Sequence, residues 1–377
     1  MKEPKILVTT ATGKTGSAVV AELLSKGFPV RAIVRSRDPR SERLERLGAE
    51  TVVADVFDPD QLMAAMKGTR RAYFCPVFHP HMLQSAMAFA VAAREERLES
   101  IVQMSQWLSS PTHPSLATRQ TWLVDNVFAM IPGVAHTIVN PGWFADNYLR
   151  LIDFAALLGV FPILTGESMS APVSNEDIAR VVAAVLMNPA GHEGKRYRPT
   201  GPRLLSGREI AGILERVLGN RVIPIDMPLW MLYKAAPISG ALPFEISGLR
   251  HYVQDHKSGA FEVGGGTTDV VQELTGRPAE DFETTARRYA ALPFAQKTAG
   301  NRLKAAWNFL RMPFHPGFKP ERDDRVQEHP VPSVAKLAIE SERWQAEHVG
   351  QLRPDLRRVM EFETGIHSSV PVSTFSK

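Results

Sequence analysis

Two rhythms alternate along the first part of the chain. Short apolar runs, Ile6-Leu7-Val8 first among them, give way to stretches whose apolar residues recur at helical spacing, as Ala18, Val19, Leu23 and Leu24 do. Runs at 30–34, 50–54, 71–75, 100–104 and 136–139 repeat the pattern, with helices predicted over 59–67, 81–97 and 116–130. A short bounded apolar run reads as a buried strand, and a 3.6-residue period reads as a helix packed on one face. Strands alternating with helices at this pitch predict an α/β protein built on a doubly wound parallel sheet.

After residue 150 the rhythm changes. Ser174 heads an apolar helix ending at Met187, and Ser206 with Glu209 forms an S-x-x-E capping box before a helix ending at Leu218. A short strand is predicted at 221–225. Residues 229–241 are apolar but interrupted by Pro237 and Gly240, too broken to span a membrane, and are expected to line a cleft. The triple glycine 264–266 reads as a turn, because no strand precedes it and no GK[ST] follows. Helices at 269–275 and 281–292 complete this lobe. Residues 302–311 form a basic amphipathic helix carrying Trp307, Phe309 and Leu310. Then come a Pro-rich, charged stretch at 312–332, a last helix at 334–349 and a polar ending from Thr364. The organisation expected is a sheet core over 1–150 and a small mixed lobe over 151–295 that closes the cleft and returns to the core. An extension over 296–377 would contact the body or a second subunit.

Composition narrows the class without naming a chemistry. The 377 residues are 44% hydrophobic and 22% charged, ordinary for a globular protein with room for a large core and a smaller lobe. The single cysteine, Cys75, excludes an internal disulfide framework and a Cys-based zinc site, and no metal is expected. No basic-then-apolar leader opens the chain, so a soluble, cytoplasmic protein is the expectation. The net charge of +4 is local: 297–325 holds seven basic residues against Glu321, Asp323 and Asp324, leaving the remainder neutral. The body is therefore not expected to bind nucleic acid.

In a doubly wound sheet, ligands lie at the carboxyl ends of the strands. The first of these ends is a small-residue turn, Thr9-Thr10-Ala11-Thr12-Gly13, running into Lys14-Thr15-Gly16. Free N–H groups at the start of the helix favour an anion, Gly13 lets the backbone approach a pyrophosphate, and Gly16 lets the helix pack closely on the strand. Thr10 stands where a first glycine is expected, so the turn is built differently or carries strain. The second strand ends in Arg35, with Arg37 close behind. A guanidinium there pairs with a 2′-phosphate where a carboxylate would take ribose hydroxyls, which favours NADP over NAD; the alternative is a solvated basic loop. Asp55, followed by Val56, ends the third strand and either accepts from an adenine amino group or caps a turn. The fourth strand ends at Pro76-Val77 and the fifth at Ser105. Trp107, Asn140, Trp143, Phe144 and Asn147 follow later strand ends and either wall a substrate pocket or belong to the core. His79, His81 and His113 could donate a proton but read more simply as solvated loop residues.

These residues carry a resemblance. Val8-Thr9-Thr10-Ala11-Thr12-Gly13-Lys14-Thr15-Gly16 is similar to the VTGATGxTG opening of the NmrA-like, atypical short-chain dehydrogenase/reductase family. Ala32-Ile33-Val34-Arg35, Ala54-Asp55-Val56-Phe57-Asp58-Pro59 and the stretch 137–147 also resemble it, as do Leu274-Thr275-Gly276-Arg277-Pro278 and Phe282-Glu283. The likeness covers about 1–292 and implies a Rossmann sheet that binds NAD(P)(H), usually NADP(H), with cofactor contacts at Thr10 to Thr15, Arg35, Asp55, Pro76 and Val77. Some members reduce quinones, dyes or plant phenolics; others sense redox state without turnover. The Tyr-x-x-x-Lys of typical relatives is absent from Ser115 to Trp122, where Arg119 stands in place of a retained lysine, and Asn140 replaces the family's RP arginine. The expectation is an NADPH-dependent reductase of a planar, electron-poor acceptor such as a quinone or enone, with Ser105 and Arg119 as oxyanion donors. The alternative is a non-catalytic NADP(H) sensor acting through a protein partner of the extension.

Overall fold

The computed structural model describes residues 3–351. Residues 1, 2 and 352–377, including the polar ending from Thr364, lie outside the described residues.

The first part of the chain runs β1 (Ile6–Val8), α1 (Lys14–Ser25), β2 (Val30–Val34), α2 (Pro39–Arg46), β3 (Glu50–Val53), α3 (Pro59–Met66), β4 (Arg71–Phe74), α4 (Met82–Glu95), β5 (Ser100–Met104), α5 (Leu116–Phe128) and β6 (Ala135–Val139). The second runs α6 (Ala145–Leu149), α7 (Ile152–Leu158), β7 (Val160–Ile163), β8 (Met169–Ser170), α8 (Asn175–Met187), β9 (Arg196–Tyr197), β10 (Leu205–Ser206), α9 (Gly207–Leu218), β11 (Ile223–Asp226), α10 (Leu229–Ile238), α11 (Pro243–Lys257), α12 (Val270–Thr275) and α13 (Phe282–Ala290). The extension adds α14 (Ala299–Arg311), α15 (Pro320–Val326) and α16 (Glu342–His348).

Seven parallel strands form the main sheet in the order β3-β2-β1-β4-β5-β6-β9. The period-2 alternation of β1 decides which face each side chain joins. Ile6 and Val8 enter the core beneath α1 and α8, whereas Leu7 enters the core beneath α3, α4 and α5. Residues on both faces are fully buried, as crossover helices on both sides require. A third core, around Trp107, Leu149, Phe161, Leu214 and Phe261, belongs to the lobe, and Trp344 of the extension lies inside it. Two small pairings, β8 with β10 and β7 with β11, brace the lobe.

One helix went unread and two expectations are corrected. Residues 243–257 form the 15-residue helix α11, which the pattern did not announce because its buried positions include Ser247, Gly248, Asp255 and His256 among the apolar ones. Residues 229–238 are helical through Pro237, and the surface Trp230, 55% exposed, shows that the segment does not simply line a cleft. The helix expected at 334–349 is shortened to α16, behind a 3₁₀ turn at Ala338–Glu340.

Candidate functional site

The turn after β1 is held to its neighbour strand by Thr9, whose hydroxyl accepts from the Cys75 N–H at 2.9 Å while its N–H donates to Tyr73 O at 3.1 Å. Thr10 then takes a left-handed φ of 46°. The β-branched side chain makes this costly, and the tight Gly13 N–H to Thr10 O bond of 2.9 Å holds it there. A Cβ on Gly16 would sit 2.9 Å from Thr10 C, 3.1 Å from Ala11 Cα and nearer still to Thr10 O. Thus α1 packs directly against the turn's backbone. Gly13 caps α1 without any side-chain hydrogen bond, and no acidic residue occupies its first turn.

Around this turn lie the other strand ends. Arg35 is exposed and has no ion pair among the described residues, and Arg37 is exposed with Glu45 4.0 Å away. The nearby carboxylate of Asp38 is engaged elsewhere: it accepts from the Arg40 and Ser41 N–H groups as the N-cap of α2, and from the Arg40 guanidinium. The Arg40 side chain, followed by these backbone bonds, holds its pKa below the usual range. Asp55 accepts from the Phe57 N–H at 2.9 Å, an Asx turn, and Val56 is half-buried beside it. Pro76 and Val77 are half-buried after β4, with the exposed His79 ring 5.5 Å from Phe57.

Ala11 is buried, Thr12 is partly exposed, and Thr15 donates to Asn175 Oδ1 at 2.6 Å, tying α1 to α8. Lys14 pairs with Asp146 and lies 5.3 Å over the Tyr289 ring; Tyr289 also donates to Asp146 at 2.5 Å. Burial alone would raise the Asp146 pKa, but the hydrogen bonds from Lys14 and Tyr289, with the charges of Lys14 and Arg150, lower it. Lys14 thus links the turn to the lobe.

Ser105 donates to Asp125 Oδ2 at 2.9 Å, deep in a buried cluster where Gln103, Ser109 and Arg196 also bond that carboxylate. Burial raises the Asp125 pKa, with Arg196 opposing it. Arg119 donates to His113 O at 2.5 Å, to Pro114 O at 3.0 Å and to Pro330 O of the extension. Its guanidinium faces backbone carbonyls. His113 is fully buried and not a solvated loop residue: Nδ1 accepts from the Ser115 N–H at 3.0 Å, and Nε2 faces Asp255 Oδ2 at 2.7 Å.

Trp107, Asn140 and Trp143 are packed inside the molecule, Phe144 and Asn147 half-buried beside them. The Arg198 guanidinium stacks 3.6 Å over the Trp107 ring, Trp344 and His348 contact the same ring edge-on, and Trp107 donates to Ala260 O at 2.8 Å. Arg198 is 1% exposed and donates to Phe261 O at 3.0 Å, but its Nε and Nη1 have no hydrogen-bond partner among the described residues, nor do the side-chain polar atoms of Asn140 and the Trp143 indole N–H. Burial lowers the Arg198 pKa to about 9. Sequence reasoning missed Asp125, Arg196, Arg198, Asp255 and His348. Single polar residues inside apolar elements carry no spacing signal, and the contacts join distant segments, as His348 with Trp107 does.

The chain's own residues fit a dinucleotide. The α1 start offers N–H groups with no side-chain cap, the backbone of the Thr10 turn packs against Gly16, and Arg35 is exposed after β2 with no ion pair among the described residues.

Comparison with known proteins agrees with this geometry. A family model described as NAD(P)H-binding matches residues 10–189. An NAD(P)H azoreductase of Xenophilus azovorans is 30% identical over 287 residues, 76% of this chain and 98% of that protein. An NADPH-dependent quinone oxidoreductase from Escherichia coli superposes with a TM-score of 0.60 at 25% identity, covering 75% of this chain and 98% of that one. NmrA, a negative transcriptional regulator solved with NAD, superposes with a TM-score of 0.63 at 18% identity, covering 76% and 95%, a likeness of fold.

Proposed function

The chain belongs to the NmrA-like, NAD(P)H-binding family of atypical short-chain dehydrogenases/reductases, and from that premise we propose that it is an NADPH-dependent reductase of a planar, electron-poor acceptor: a quinone, an enone or a related carbonyl. The observation that carries the choice of NADPH is the end of β2, where Arg35 is exposed with no ion pair among the described residues and the Asp38 carboxylate is engaged in capping α2. NADPH, when bound, supplies the hydride. The turn from Thr10 to Gly16 would hold the pyrophosphate, Arg35 and Arg37 the 2′-phosphate, Asp55 and Val56 the adenine end, and Pro76, Val77 and Ser105 the nicotinamide end. The similarity to an azoreductase and to a quinone oxidoreductase supports a flat, conjugated acceptor. Such an acceptor stabilises its own reduced form and takes a proton from water. This suits a site without Tyr-x-x-x-Lys, where Ser105 and Arg119 would have to leave Asp125 and the backbone carbonyls before they could donate to the developing negative oxygen. The expected setting is the cytoplasm.

The test is a titration with NADPH and NADH, followed by quinones, enones and aldehydes with NADPH absorbance as the readout. Tighter binding of NADPH with turnover of a quinone or enone is the expected result. Binding without turnover of any acceptor overturns the reductase reading. It would favour a sensor that holds NADP(H) and acts through a protein partner, a reading supported by the donors of Ser105 and Arg119 already being directed to Asp125 and to backbone carbonyls.

A further inference from the structure

Five of the six exposed Phe and Trp side chains among the described residues lie in two segments, α10 and the stretch from Phe294 to Phe314. Along α14, Leu303, Trp307 and Leu310 follow at i, i+4 and i+7, with Phe314 one turn on; they are 73%, 62%, 65% and 88% exposed. At 100° per residue Leu303, Trp307 and Leu310 form one stripe, and Phe314 follows in the 3₁₀ turn after the helix. Ala305 and Met312, on the opposite side, are buried where the helix packs on the body. Lys304 and Arg311 flank the stripe on one side and Arg302 on the other. This is an amphipathic helix with its apolar face turned outward.

The face is larger than one helix. Lys234 of α10 lies 6.0 Å over the Trp230 ring and its ammonium bonds Pro313 O, while the Phe318 N–H donates to Tyr233 O at 3.0 Å. Trp230 is thereby held beside the turn that carries Phe314. Charge is one-sided: residues 284–320 contain seven basic residues and no acidic one, and residues 227–244 contain Lys234 and no acidic one. Beneath the helix lies Asp153 of α7, whose pKa burial raises and the charge of Lys304 partly lowers.

We propose that this face docks on an anionic lipid bilayer, with α14 lying in the interface. Trp, Phe and Leu would enter the headgroup boundary while Arg302, Lys304, Arg311 and Lys234 meet lipid phosphates, the arrangement of a peripheral interfacial helix. No described helix is long and apolar enough to cross a membrane, so the contact is with the surface. A second copy of this chain fits poorly. An isologous dimer through this face would set the same basic flanks against each other, and residues 284–320 carry no carboxylate to separate them.

The experiment is co-sedimentation of the full chain with vesicles of phosphatidylcholine alone and of phosphatidylcholine with phosphatidylglycerol, at low and high salt, with sedimentation velocity on the free protein. Binding to the anionic vesicles, weakened by salt and accompanied by a blue shift of tryptophan emission, is expected. Trp307→Glu with Leu310→Glu, and separately Arg302→Glu with Arg311→Glu, should each reduce partition at least tenfold. Their far-UV circular dichroism and NADPH affinity should match the parent, which excludes misfolding. Absence of binding to either vesicle overturns the proposal. So does a dimer that the apolar variant dissolves, which would make the occupant a second copy. Both outcomes leave the reductase reading standing, because the face lies outside the cofactor turn.

Discussion

Replacing Gly16 with alanine tests the cofactor turn at its tightest point. The added methyl would lie 2.9 Å from Thr10 C and 3.1 Å from Ala11 Cα, where ordinary contact begins near 3.4 Å, and all the atoms it meets are backbone. No flexible side chain can move aside. Overpacking against a rigid neighbour costs about 3 kcal/mol at the upper end, and alanine returns about 1 kcal/mol of helix propensity, so a net loss of about 2 kcal/mol is expected. Relief requires the turn from Thr10 to Gly13 to move by several tenths of an ångström. That displaces the N–H groups proposed to face the pyrophosphate. Losing one charge-assisted hydrogen bond is worth about 1.5 kcal/mol, hence at least roughly tenfold in NADPH affinity. The assay is calorimetric titration with NADPH alongside thermal unfolding. Gly212→Ala on α9, whose added methyl meets nothing within 4 Å, is the control and should be neutral or slightly stabilising. If Gly16→Ala binds NADPH as the parent does and melts at the same temperature, the inference from packing to cofactor turn is wrong.

Arg35→Glu should lower NADPH affinity at least tenfold while leaving NADH within a few-fold, measured by fluorescence titration; equal losses for both would remove Arg35 from the 2′-phosphate site. Arg198→Met should raise the melting temperature of the free protein by the equivalent of about 1 kcal/mol, because a buried guanidinium with unpartnered nitrogens costs more than its stacking on Trp107 returns; a fall would mean the charge is compensated. Burial, aided at His136 by the Arg196 charge, lowers the pKa of His136 and His256 to about 4 and of His348 to about 3. Above the unfolded value near 6.5 these groups contribute no pH dependence. Below it the unfolded chain takes up protons that the fold cannot, so stability should fall by about 1.4 kcal/mol per pH unit for each histidine until the folded pKa is reached. Urea titrations between pH 7 and 5 check this, and His348→Gln should make the slope shallower; an unchanged slope would show that folding does not lower the His348 pKa.

The strands and helices of the main sheet were legible because each buries two faces or one stripe, and burial writes its period into the sequence. Thr10 is an instructive case. The expectation of strain at a missing glycine meets a left-handed φ of 46°, the local conformation following from chain geometry rather than from residue preference. α11 was not legible, since its buried face mixes Phe244 and Val253 with Ser247, Asp255 and His256. Nor could the placement of the extension be read. Trp344 donates to Trp107 O at 2.7 Å and Ala338 to Asp255 Oδ1 at 2.8 Å, contacts between segments far apart that leave no local trace.

The extension also bears on the chemistry. Pro330 takes a hydrogen bond from Arg119, Lys336 donates to Thr112 O at 3.0 Å, and Trp344 and His348 cover Trp107. Every one of these contacts falls on the segment between β5 and the first turns of α5, which follows Ser105. A protein acid working there would have to reach the acceptor past donors already directed inward, to Asp125 from Ser105 and to carbonyls from Arg119. An acceptor that needs a strong protein acid, such as an isolated ketone, would gain little from such a site. One whose reduced oxygen is stabilised by conjugation needs only the hydride and a place to lie flat. The hydrogen-bonding of Ser105 and Arg119 is thus a physical reason to rank quinones and enones above simple aldehydes in the acceptor panel.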